Sequence, residues 1–341
     1  MQPIKIYSSM PKKNPLQIRF EDEILKHFQK KDKADIVNEI LPEVNSKVSI
    51  KLTFPITREQ LTKLDRRQLL VILEVLNSSI PEVSLFKWSN TLFGQSRDAY
   101  NKLILLKQYN SLYSKYEYAI SISPFFYNNL LDSLVIAIFI SVQKIFDNTT
   151  GASSVTIEKL LLKYEKNYTN FPAFQDIYKW DKISEEKLLW KWKISEDEID
   201  FFEKNNYSNC SKDDYVEVSP LLVLKLNEWK LNRFKSLKKL EYLYAQRNKI
   251  YVHNDKLAMN NLNKLTADNP LTFDDFEHFI NFSLKFTHFI LLMLTNINYA
   301  WEPTNINDWE QTLKYTSIGL AKTKKDIEEK TRELRDEFNN K

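Results

Sequence analysis

Arg247-Asn248-Lys249-Ile250-Tyr251-Val252-His253, followed by Asn254-Asp255, is the stretch on which the reading of this 341-residue chain turns. It closes a segment, Trp229 to Gln246, in which Leu231, Phe234, Leu237, Leu240 and Tyr244 recur at steps of three and four, the period of a helix with one buried face. Arg247 is the next member of that stripe, which predicts that it faces inward. A guanidinium is costly to desolvate there, so the expected partner is a phosphate, a water-filled groove, or a carboxylate such as Asp132 or Asp147. His253 lies six residues on, ~9 Å along a continuous helix and roughly 120° around it. One chain therefore places the two side chains poorly for joint work.

The charges around the motif are one-sided. Between Trp229 and Lys256 the cations Lys230, Arg233, Lys235, Lys238, Lys239, Arg247, Lys249 and Lys256 face only two acids, Glu241 and Asp255. That pattern predicts a local positive field able to attract phosphate backbones, with Lys235, Lys239 and Lys249 as candidate RNA contacts, although a solvated helix face has the same composition. The net charge of +4 over the whole chain says nothing of nucleic acid by itself.

An Arg followed six residues later by a His, with a polar residue directly after the Arg and strongly apolar helical patterns on either side, resembles the signature of the HEPN superfamily. The wording Arg-Asn-Lys…His-x-Asp is most similar to the abortive-infection branch that bacteria use against phage. Lys144-Ile145-Phe146-Asp147 and the following Asn148-Thr149-Thr150-Gly151 also resemble a helix end and loop of that branch. The likeness covers roughly residues 100 to 300.

The resemblance implies a mainly α fold, a HEPN-like antiparallel helical bundle, and a metal-independent endoribonuclease that needs no cofactor. It implies a homodimer in which both copies of the motif line one cleft. Arg247, Asn248 and His253 would be catalytic there: imidazole as base and acid, guanidinium on the non-bridging oxygens, and amide on the phosphate. It further implies a toxin of a phage-defence or toxin–antitoxin system, held by an antitoxin or released by a phage-derived trigger. Some members carry a Tyr two residues after the His that an antitoxin modifies; Asp255 stands there in this chain, which puts that control in doubt. The alternatives are a catalytically inactive HEPN module that binds a nucleotide or a protein partner, and a purely structural helical protein.

Three regions are expected: residues 1–98 as a smaller mixed α/β region, 99–300 as the helical domain with an insertion at about 167–225, and 301–341 as a charged helical tail. The alternation Val48, Ile50, Leu52, Phe54 predicts a strand, and Thr57-Arg58-Glu59-Gln60 a capping box opening a helix. Helicity is expected from about Tyr100, and Phe125 to Phe146, apolar nearly all round, reads as a buried central helix. In the insertion, Trp190-Lys191-Trp192-Lys193 suits either a base-stacking platform or an element burying its tryptophans; the second is expected.

Three glycines leave no room for a Gly-rich phosphate loop of the Rossmann or Walker kind. A lone Cys210 excludes an intrachain disulfide and CxxC metal motifs, as suits a cytoplasmic protein. No signal peptide is apparent, and the apolar run Leu134 to Ile140 falls short of the ~20 residues of a membrane span. Asp274, Asp275 and Glu277 are expected to serve a helix start rather than a metal, and His27, His278 and His288 to be structural.

Overall fold

The computed structural model describes residues 14–147, 154–171, 191–205, 207, 210–217, 219–246, 267–300, 303 and 307–339. The fold is mainly α, and the only strands among the described residues form one two-stranded ribbon. The chain divides into two interleaved units, one of residues 1–94, 146–240 and 282–300, the other of 95–145, 241–281 and 301–341.

The first unit opens with α1 (Pro15–Gln29), where Pro15 occupies the first turn and the Asn14 side chain accepts from the Leu16 N–H at 2.9 Å. Leu16, Phe20, Ile24 and Phe28 repeat every four residues and are buried. After a short α2 (Lys33–Asp35) and a π-helical segment, Ile36–Ile40, comes α3 (Leu41–Val48), ended by Ser49 in the left-handed region at φ 56°. No strand forms over residues 48–54, against the alternation in the sequence. The reason is visible at Leu52: its N–H donates to Asn45 Oδ1 at 2.8 Å and its carbonyl accepts from Asn45 Nδ2 at 3.0 Å. One side-chain amide thus satisfies both backbone groups that a neighbouring strand would otherwise take. Among its described residues, 14–98, the N-terminal region is helical.

Thr57 caps α4 (Arg58–Leu61) through the Gln60 N–H at 3.3 Å, but the Gln60 amide turns to Thr53, so the predicted helix stops after one turn. It restarts at α5 (Arg66–Val75). There Asp65 accepts from the Gln68 N–H at 2.8 Å, and Gln68 accepts from the Asp65 N–H at 3.0 Å, a reciprocal cap. α5 buries Leu69, Leu70, Ile72 and Leu73 and packs on α1 and α3.

α6 (Pro81–Leu112) begins nineteen residues before the expected onset of helicity and runs straight through residue 98, where a regional boundary was expected. It leaves the first unit at Gly94 and enters the second. In the second unit, α7 (Glu117–Ser121) and α8 (Pro124–Ile145) follow. Tyr109, Tyr116, Ile120 and Tyr127 make an aromatic-rich core there with Leu313.

α8 is not the wholly buried helix expected. Phe125 is 83% exposed and Phe126 60%, while Ile138, Phe139, Val142 and Ile145 in its second half are buried. By length and composition alone α8 could cross a membrane, contrary to the count made on the shorter run.

Returning to the first unit, α9 (Ile157–Glu165) precedes β1 (Lys191–Lys193), α10 (Ile199–Lys204) and β2 (Tyr215–Glu217). The two strands pair antiparallel with Trp192 opposite Val216. Then come α11 (Pro220–Ser236), α12 (Lys239–Gln246), α13 (Phe273–Thr295) and α14 (Asp308–Asn339).

Candidate functional site

The helical segment that leads to the Arg/His motif is two helices, not one. α11 ends at Ser236, Leu237 is 53% exposed, and Lys238 sits in the left-handed region at φ 56° before α12 begins. A non-glycine residue in that conformation stops a helix and restarts it on a new axis. The stripe Leu231-Phe234-Leu237-Leu240-Tyr244 is therefore broken at Leu237. The buried residues of α12 are Leu240, Leu243 and Gln246, three residues apart, so its inward face is turned from the one the sequence predicts.

Arg247, Asn248, Lys249 and His253, together with Tyr251 and Asp255, lie outside the described residues. Their threshold is described. Gln246 is 8% exposed and its Nε2 donates to the Asn269 carbonyl at 2.5 Å. The last residue before the motif is thereby tied to the chain returning 23 positions later. Just beyond, Asp275 Oδ2 accepts from the Thr272 N–H at 2.8 Å while Thr272 Oγ1 accepts from the Asp275 N–H at 3.2 Å, fixing the start of α13. Glu277 pairs with Lys107 at 2.6 Å. The acids at the head of α13 thus cap and pair, as expected, and among the described residues no group of three or more His, Cys, Asp or Glu could hold a metal.

Part of the positive field read from the segment 229–256 is answered by acids far away in sequence. Lys230 is 3% exposed, 2.6 Å from Glu198 and 3.1 Å from Asp197. Arg233 donates to the Asp197 carbonyl at 2.9 Å and lies over the Trp229 ring. Lys235, one of the candidate RNA contacts, is 2.5 Å from Glu158. Lys239, another, is half-buried at the first position of α12. Both belong to the first unit.

Glu198 is the centre that sequence reasoning missed. It is fully buried, takes Lys230 on one side and Lys285 at 3.1 Å on the other, and accepts from the Trp192 Nε1–H at 3.0 Å and the Ser195 N–H at 2.8 Å. Burial alone would push its carboxyl pKa up; the two ammonium groups and the donated hydrogen bonds override this and hold it below the usual carboxylate range. Burial pulls the Lys285 pKa down even so. This cluster fastens the insertion to α11 and α13, and it explains why Trp192 is only 5% exposed instead of forming a stacking platform. The Ser195-x-x-Glu198 spacing was its one signal in the sequence, legible as a cap but not as a lysine anchor.

The remaining histidines are structural in character. His27 lies 3.2 Å from Glu23 one turn away. His288 Nε2 is 2.9 Å from Asn298 Oδ1 with its ring tilted against Phe93, and burial lowers its pKa from 6.5 to about 4. His278 is exposed on α13.

Comparison with known proteins adds one finding. The family model HEPN_AbiU2, described as AbiU2, matches residues 89–312, a span that runs from within α6 into α14 and contains the Arg/His motif. No curated protein and no solved structure matches the chain.

Proposed function

The chain belongs to the HEPN_AbiU2 family, a HEPN-type family of abortive infection, and on that premise we propose that it is a metal-independent endoribonuclease working as a homodimer. The observation that carries the reading is the sequence Arg247-Asn248…His253 inside the matched span, at the exit of α12. RNA can be cut with these groups alone. One His253 takes the proton of the ribose 2′-hydroxyl, whose oxygen attacks the adjacent phosphorus. The bond to the 5′-oxygen breaks, and the partner copy's equivalent imidazole, in its protonated form, gives that oxygen a proton. Arg247 spreads two N–H donors over the non-bridging oxygens as charge builds, a fork that lysine does not offer. Asn248 donates to the same phosphate. The products carry a 2′,3′-cyclic phosphate and a 5′-hydroxyl.

A dimer is supported by the exposed apolar side chains Tyr118, Ile122, Phe125, Phe126 and Ile136, gathered within 19 residues of sequence along α7, α8 and their join. In its cellular setting the enzyme is a toxin of a phage-defence or toxin–antitoxin pair, restrained by an antitoxin or freed by a phage product. A second reading, a catalytically silent module that binds a partner, is favoured by the ion-paired state of Lys230 and Lys235, which leaves less free charge for RNA than the composition promises.

The test is incubation of purified protein with cellular RNA in EDTA. Wild type is expected to cut and leave cyclic-phosphate ends, whereas Arg247→Ala and His253→Ala lose about 10²–10⁴-fold in rate while still dimeric. Intact RNA after exposure to the wild-type protein, with or without added divalent metal, would overturn the nuclease reading in favour of the binding module.

A further inference from the structure

α9 and the first turns of α6 line an open recess of about 430 Å³ in the first unit, remote in sequence from the Arg/His motif. Its ionisable lining is entirely basic: Lys159, Lys163 and Lys166, with no carboxylate among the lining residues. The three follow one another at i, i+4 and i+7, so they stand on one side of α9 over ~10 Å. Trp88 and Leu162 supply an apolar wall, and Ser84 a hydroxyl. Lys163 lies over the Trp88 ring at 4.4 Å.

Three ammonium groups around one cavity repel each other unless something answers them. Elsewhere in this unit that answer is a carboxylate: Lys230 and Lys285 have Glu198, Lys235 has Glu158, and Arg19 has Glu82. Neither Lys163 nor Lys166 has a carboxylate within ion-pair distance among the described residues. Lys159 holds Ser154 through its Oγ at 2.6 Å. Desolvation lowers the Lys163 pKa, and no carboxylate among the described residues acts against it. Charge placed in a recess without its counter-charge, beside an indole and a leucine, is the lining of a site for an anion with an apolar part. The first turn of α6, a 32-residue helix, adds the positive end of its dipole at the rim.

We propose that this cavity binds a small ligand carrying at least two phosphoryl groups, its phosphates on Lys163 and Lys166 with Lys159 behind them, and any ring it bears against Trp88 and Leu162. The volume exceeds what one inorganic phosphate fills and is of the order of a nucleotide. The cations converge on one recess instead of marking a long track, which favours a small molecule over a strand of RNA. The proposal does not depend on the Arg/His chemistry.

Calorimetric titration of the full-length protein separates the sources, with three probes: inorganic pyrophosphate, ATP, and a ten-nucleotide RNA bearing 2′-O-methyl groups, which 2′-hydroxyl chemistry cannot cut. Pyrophosphate, ATP or both are expected to bind, more weakly as salt rises. Lys163→Gln and Lys166→Gln should each weaken that binding at least tenfold. Lys166 is exposed, so its variant keeps the fold, and an unchanged thermal midpoint confirms this. Trp88→Leu should weaken ATP more than pyrophosphate. Binding of neither phosphate, binding indifferent to both lysine variants, or binding confined to the oligonucleotide would each overturn the proposal, the last by reassigning the cavity to RNA.

Discussion

His288 shows how one side chain ties the fold to pH. In the folded chain burial lowers its pKa from 6.5 to about 4. Between those values the unfolded chain takes up a proton that the folded chain refuses. Its contribution to stability is therefore whole above about pH 6.5, falls as the medium is acidified, and is lost to the extent of roughly 3 kcal/mol at pH 4. His288→Gln, which keeps an amide for Asn298, is expected to flatten the acid limb of the stability curve over that window, and urea melts at a series of pH values measure it. Identical limbs for the two proteins would contradict the assignment. With its pKa moved to about 4, the folded His288 stays uncharged near neutrality. The Arg/His spacing was legible only together with the helical patterns around it, as a family resemblance; the inward face expected of Arg247 was an extrapolation along a stripe that breaks at Leu237.

At the scale of elements, the decisive feature is the join between α11 and α12. Lys238 holds φ at 56° without the freedom of glycine, at a cost on the order of 1 kcal/mol. Lys238→Gly is expected to raise stability by about 0.5–1 kcal/mol, seen as a higher urea midpoint at unchanged slope; a drop would mean that the ammonium contributes more than its backbone strains. Helix starts were readable where a cap lay close in sequence, as at Thr57 and at the acids heading α13, but the restart at Asp65 was hidden inside one apolar stripe. Readings failed where a partner came from further off. Asn45 occupying the backbone of Leu52 is invisible to an alternation of valines and leucines. The acids that pair with α11, Glu158, Asp197 and Glu198, stand 32 to 77 residues before the lysines they meet, so a window of thirty residues counts the cations and misses their partners.

Over the whole molecule, the sequence marked a mainly α chain with its motif inside a family span, and it overestimated how much of α8 one copy can bury. A helix apolar on all sides does need cover, but Phe125 and Phe126 do not find it within the chain. If a second copy supplies it, Phe125→Glu with Ile136→Glu should convert a dimer to a monomer by light scattering, and RNA cleavage should fall with it. Helicity should stay intact, because both side chains are already exposed. A variant that remains dimeric would move the interface elsewhere, and one that remains lipid-associated would point to a membrane surface instead. One further consequence attaches to the bond from Gln246 to the Asn269 carbonyl. It joins the last turn of α12 to the approach of α13, so neither end can shift without the other.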